Sequence, residues 1–169
     1  MKILLTAFEN FGGDDFNTSK IIAEKLNYDY LILPVTLSSF DILEKYINNN
    51  HYDYIILLGM AKSRNKISIE DTAINLLDYS IPDNDNLMIK QKPIIDNFDT
   101  YLHPNINLSD LPNNPSYYIS HDAGTYICNY LYYKTLALIK TKSIFIHIPG
   151  IINDDTASIV NDIIKFITK

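Results

Sequence analysis

Short apolar runs alternate along the chain with polar segments whose apolar residues recur at helical spacing. Residues 2–6 read as a first strand, followed by the loop Ala7-Phe8-Glu9-Asn10-Phe11-Gly12-Gly13. Asn17 or Thr18 is placed to cap a helix running to about Leu26, with Ile21, Ile22 and Leu26 on one face. Residues 28–35 are near-continuously apolar, as in a strand buried on both faces. Ser38 or Ser39 opens a second amphipathic helix to about Ile47, and residues 54–58 form another buried strand closed by Gly59. The order strand, helix, strand, helix, strand predicts an α/β sheet with parallel strands and right-handed crossovers.

After Gly59 the pattern changes. Residues 66–77 read as extended, and residues 81–115 are rich in Asn, Asp and Pro, long for a loop in a compact domain. Regularity returns with a short strand at 117–120, a helix over about 124–140 and a strand at 143–148. A last helix covers about 154–168, capped by Asn153 or Asp154, with Ile159, Ile163, Ile164 and Ile167 inward. There is no internal repeat, and 169 residues suit one domain, 1–169, with a single sizeable core.

Composition narrows the function classes. No apolar run approaches the ~18–20 residues that span a bilayer, and the first apolar run is too short for a signal peptide. A cytoplasmic protein without a membrane partner is expected. Net charge is −6 and Arg64 is the only arginine, so the clustered basic surface that nucleic acid requires is absent. One cysteine can form neither an internal disulfide nor a structural zinc site.

That cysteine, Cys128, is either a small buried hydrophobe packed with Tyr126 and Leu131 or a nucleophile. It falls near the start of a helix leaving a sheet edge, where free N–H groups and the dipole favour a thiolate and can hold an oxyanion. His147 ends the strand Ile144-Phe145-Ile146-His147-Ile148-Pro149. There it is either a hydrogen-bonded core histidine or a group facing the crevice in which α/β folds place their sites. Alternation over Lys66 to Leu76 puts Glu70 with Ser68 and Thr72 on a polar face, as a solvated residue or as a carboxylate that orients an imidazole. His51, His103 and His121 sit in polar stretches and read as surface residues. Gly12-Gly13 belongs to no phosphate-loop pattern and reads as a tight turn close to a ligand.

Together these segments resemble the pyroglutamyl peptidase I family of cysteine peptidases. Its opening Gly-Phe-Glu-Pro-Phe-Gly-Gly loop is matched by residues 7–13, its Asn-Pro-Ser by Asn17-Thr18-Ser19 and its Leu-Pro-Val by Leu33-Pro34-Val35. Its Glu-Arg-x-Ala-x-Asn is matched by Glu70-Asp71-Thr72-Ala73-Ile74-Asn75, and Ile81-Pro82-Asp83-Asn84 also fits. Ala123-Gly124-Thr125-Tyr126-Ile127-Cys128-Asn129 resembles the nucleophile motif, and Ile146-His147-Ile148-Pro149 the histidine motif.

The resemblance implies a three-layer, phosphorylase/hydrolase-like α/β/α sandwich with a mixed, mostly parallel sheet. It implies a Glu70–Cys128–His147 triad that needs no metal or other cofactor. The substrates would be small peptides with amino-terminal pyroglutamate, the ring lying in a pocket lined by Phe8, Phe11, Met60 and Ile127. Family members often associate, which leaves monomer and homo-oligomer both open. The chain departs from the family in three ways. It is shorter around 85–115 and between Cys128 and His147, it has Met60 in place of a glutamine near the ring, and it has Ser80 in place of an arginine credited with helping the oxyanion site. Two rival readings follow: a binding protein of the same fold with weak or no turnover, and a cysteine hydrolase for another cyclic or acyl amide.

Overall fold

Continuous burial marks the centre of the sheet: β1 (Ile3–Phe8), β3 (Tyr54–Ala61) and β8 (Lys142–Pro149) are covered on both faces over most of their length. The structure is a computed structural model describing residues 1–169. With β2 (Asp29–Leu33), β4 (Ile67–Glu70) and β7 (Tyr117–Ser120) these strands make a six-stranded sheet in the order β2-β1-β3-β8-β4-β7. Every neighbouring pair is parallel except β4 against β8. This is the mixed, mostly parallel sheet that the family resemblance implies, the antiparallel β4 being the departure from the all-parallel reading of the strand–helix pattern.

Four helices complete the fold: α1 (Thr18–Lys25), α2 (Ser38–Asn48), α3 (Ile127–Leu138) and α4 (Thr156–Ile167). Strand alternation divides the apolar residues between two layers. Ile55, Leu57 and Phe145 pack with Phe40 and Leu43 of α2 and Leu131 and Tyr132 of α3. Ile56, Leu58, Ile144 and Ile146 pack on the opposite face with Ile22 of α1 and Val160 and Ile163 of α4. The result is a three-layer α/β/α sandwich. No helix is long and apolar enough to cross a membrane.

Several boundaries differ from the sequence expectation for physical reasons. β2 is an edge strand with Asp29 and Tyr30 exposed, not a strand buried on both faces. β3 continues through Gly59, because its pairing with β8 extends to Ala61↔Pro149. α3 starts at Ile127 rather than Gly124. Gly124 sits at φ +80°, outside helical backbone, and the Thr125 carbonyl accepts from Asp78 N–H. α4 starts at Thr156, because the Asn153 side chain bonds Asp155 N–H and the Thr156 hydroxyl in a turn ahead of the helix.

The 81–115 segment is tied down by specific bonds. β5 (Ala73–Ile74) pairs with β6 (Tyr101–Leu102), and Asn75 Oδ1 accepts from Ile94 and Ile95 N–H.

Candidate active site

Strand register gathers the chemistry on one face of the sheet. His147 of β8 is the Cα partner of Gly59 on β3 and of Ser68 on β4. Glu70, two residues beyond Ser68, points to the same face, and its Oε1 lies 2.8 Å from His147 Nδ1. A carboxylate can only accept, so Nδ1 carries the proton and Nε2 is left as the basic nitrogen. The imidazole lies against the Phe145 ring, 4.6 Å between centroids, which further limits its rotation.

Glu70 is fully buried, not a solvated strand residue, β4 lying inside the sheet between β8 and β7. Burial alone would raise its carboxyl pKa. Hydrogen bonding and charge from His147, a Ser120 hydrogen bond and the Arg64 guanidinium outweigh burial and lower it. Ser120 faces Glu70 across β4–β7, while its hydroxyl makes only long 3.3 Å contacts with Asp122. That hydroxyl is the donor placed to turn toward Glu70 Oε2, which has no other partner. Tyr132 of α3 donates its hydroxyl to the Glu70 carbonyl at 2.8 Å, pinning the backbone.

Cys128 is the second residue of α3. Its sulfur lies over Gly59: a Cβ added there would come within 2.8 Å of Sγ. Since Gly59 pairs with His147, and adjacent strands are ~4.8 Å apart, thiol and imidazole share one face of neighbouring strands. The amides of Ile127, Cys128 and Asn129 meet no carbonyl acceptor, the first helical bond being Tyr130 N–H to Tyr126 C=O at 3.0 Å.

The expected lowering of the thiol pKa by the helix start is overruled. Burial pushes Cys128 up to about 12, and the Glu70 charge adds to this, against weaker opposition from Arg64 and the Cys128 amide.

Arg64, in the turn between β3 and β4, donates Nη1 to Ser68 Oγ and Glu70 Oε1 and Nη2 to the Asp122 carbonyl. Nothing in its local sequence pointed to Glu70. The only signal was its being the single arginine.

Beside Cys128 a small apolar cavity of about 10 Å³ is lined by Phe8, Phe11, Val35, Met60, Tyr126 and Ile127, with Asn17 as its polar side chain. It brings together the four wall residues expected from the sequence and adds Asn17, Val35 and Tyr126. Asn17 caps α1 and donates to the Glu9 carbonyl at 2.9 Å, while Tyr126 donates to the Pro82 carbonyl at 3.0 Å. Asn129 also escaped notice. Its amide bonds Ile74 N–H and C=O, docking α3 on β5. His51, His103 and His121 are exposed, as their polar surroundings in the sequence predict.

A profile of the family described as pyroglutamyl peptidase matches residues 1–162. The pyrrolidone-carboxylate peptidase of Pyrococcus furiosus is 34% identical, the alignment covering 89% of this chain and 82% of the relative. That of Fusobacterium nucleatum is 34% identical, with 88% and 78% covered. Among solved structures, pyrrolidone carboxyl peptidase from Fervidobacterium islandicum superposes with a TM-score of 0.80 at 27% identity, covering 99% of this chain and 96% of that one. Pyroglutamyl peptidase I from Bacillus amyloliquefaciens gives 0.84 at 25% identity, with 98% and 92% covered. By its sequence over nearly its whole length, and by its fold, this chain belongs to the pyroglutamyl peptidase family.

Proposed function

We propose that this protein is a cysteine peptidase that removes an amino-terminal pyroglutamyl residue from peptides, with Cys128 as nucleophile, His147 as general base and acid, and Glu70 as the carboxylate that orients it. The observation that carries the assignment of roles is the 2.8 Å Glu70–His147 bond on the face where Cys128 Sγ covers Gly59. The resting thiol is protonated, so His147 Nε2 takes its proton as sulfur attacks the carbonyl joining the lactam ring to the next residue. The free amides at the start of α3 are the donors available to the resulting oxyanion. His147 then protonates the leaving amine, and water, deprotonated by His147, cleaves the thioester.

An apolar cavity suits an uncharged lactam, with Asn17 as its polar wall. The cavity has room for one water at most, so a ring can enter only if the lining opens. Phe11 and Tyr126 are half-buried, and Gly12 and Gly13 follow Phe11 at φ +64° and +83°. A single free thiol suits a reducing, cytoplasmic setting.

The test is fluorophore release from a pyroglutamyl amide compared with a prolyl amide. The prolyl ring lacks the lactam carbonyl and carries a charged amine. Cleavage of the pyroglutamyl amide alone, abolished by Cys128→Ser, is expected. Equal cleavage of both would point to a hydrolase for another amide, and cleavage of neither would reject turnover.

A further inference from the structure

We propose that Arg64 is a positioning residue that fixes the Glu70 carboxylate for His147 and clamps it to the segment leading into the Cys128 helix. The inference rests on the triad assigned above. Arg64 reaches three acceptors on two pieces of chain: Ser68 and Glu70 of β4, and the carbonyl of Asp122, six residues before Cys128. His147 and Arg64 converge on the same oxygen, Glu70 Oε1. The carboxylate is therefore held from two directions, and its position relative to the imidazole does not depend on His147 alone.

Residue type supports the assignment. Apart from the four histidines, every other basic residue in the chain is lysine. At this position a planar fork is needed, because a single ammonium on a flexible stem cannot meet carboxylate, hydroxyl and carbonyl with fixed geometry. The guanidinium is largely buried, with 23% of the side chain exposed, against 0% for Glu70. The pair is therefore far less screened than a surface salt bridge.

Charge balance is a second consequence. A buried Glu70 carboxylate disfavours a nearby thiolate, and Arg64 offsets that effect. The ionisable and polar groups facing Glu70 are His147 of β8, Ser120 of β7, Cys128 and Tyr132 of α3, and Arg64 itself. Arg64 is the permanent cation among them.

The test compares Arg64→Met, Glu70→Gln and the double variant, by kcat and KM on a pyroglutamyl amide and by the pH dependence of Cys128 alkylation with iodoacetamide. Arg64→Met should lose about 10- to 100-fold in kcat with KM changed by less than about threefold. Its alkylation profile should move to higher pH. Because Arg64 acts through Glu70, the double variant should be no more than about threefold slower than Glu70→Gln. Added guanidinium ion should restore part of the lost kcat in Arg64→Met and none in Glu70→Gln.

Losses that multiply in the double variant, or an alkylation profile unmoved in Arg64→Met, would overturn the proposal. Arg64→Lys, which keeps the charge and loses the fork, guards against misfolding of the methionine variant. It should fall between wild type and Arg64→Met, and full activity would contradict the need for a clamp. If the wild-type protein cleaves no pyroglutamyl amide, the functional reading fails, while the alkylation profiles still decide the role of Arg64.

Discussion

A Cβ on Gly59 would come within 2.8 Å of Cys128 Sγ and 2.7 Å of the Phe145 ring, so the missing side chain at Gly59 is what lets the sulfur settle on the sheet beside His147. The constraint is spatial, since Gly59 does not occupy left-handed backbone. Gly59→Ala should fold with a stability loss of about 1–3 kcal/mol from overpacking. It should lose far more activity, because a displacement of about 1 Å at a reacting atom can cost 10²-fold. Urea unfolding and kcat measured on the same preparation check both. A folded variant with wild-type kcat would mean that the sulfur reacts from another position.

The thiol, pushed up to about 12, makes a distinct kinetic expectation. Iodoacetamide should modify the free enzyme slowly at pH 7, and the rate should still be rising above pH 9. A preformed thiolate–imidazolium pair would instead react at a constant rate across neutral pH. The sign for stability follows from the same shift. A raised folded value contributes nothing adverse below the unfolded thiol value of 9.0, and stability is lost as pH rises above it. A plateau of alkylation between pH 6 and 8 would reject a protonated resting thiol.

Glu70→Gln tests the orienting carboxylate. It should lower kcat substantially, by less than the ~10⁴-fold seen for the equivalent change in a serine triad, since a thiol ionises more easily than a hydroxyl. Glu70 also links stability to pH. Its folded value is depressed below 4.5, so its contribution is present above pH 4.5 and is lost as pH falls through the folded value. The wild type should exceed Glu70→Gln by about 1–3 kcal/mol near neutral pH. That margin should shrink in acid, as urea titrations at pH 7 and pH 3 would reveal. A margin independent of pH would mean that the ionised carboxylate contributes nothing.

Much of the sheet was legible because apolar runs and helical spacing are local signals, as in Tyr54–Ala61 and Thr18–Lys25. Cys128, His147 and Glu70 stood out through the motifs around them, and the structure adds the Glu70–His147 bond. What escaped depends on tertiary context. Glu70 is buried because β4 lies inside the sheet between β8 and β7 with Tyr132 of α3 against it, and alternation along one strand could not reveal that. Gly124 looked like helix because nothing local shows that Asp78, 47 residues before Thr125 in the chain, supplies the bonds that keep this segment extended. Arg64 has no motif of its own, and its three acceptors converge only once β4 and the 121–126 turn are folded.

The last prediction concerns Ser80, which stands where the family resemblance places an oxyanion-assisting arginine. The basic side chains that could substitute for it include Arg64, Lys62 and Lys90, and each of these is engaged elsewhere, Lys90 with Asp78 and the Tyr79 carbonyl. Arg64 is held by Glu70, Ser68 and Asp122, and Lys62 is paired with Asp14. Ser80 itself is exposed, next to Ile81, whose side chain reaches to within 3.5 Å of where a Gly12 Cβ would lie. On that resemblance the charge that builds on the carbonyl oxygen falls to the α3 amides alone, one cationic donor short of the family pattern. Removing such a donor typically costs about 10²–10³ in kcat, so Ser80→Arg should raise kcat by up to that factor. KM should change little, because the added interaction forms only in the transition state. Steady-state kinetics on a pyroglutamyl amide, with wild type and Ser80→Arg side by side, would decide the matter. An unchanged or lowered kcat in a folded Ser80→Arg protein would show that the α3 amides already meet the demand.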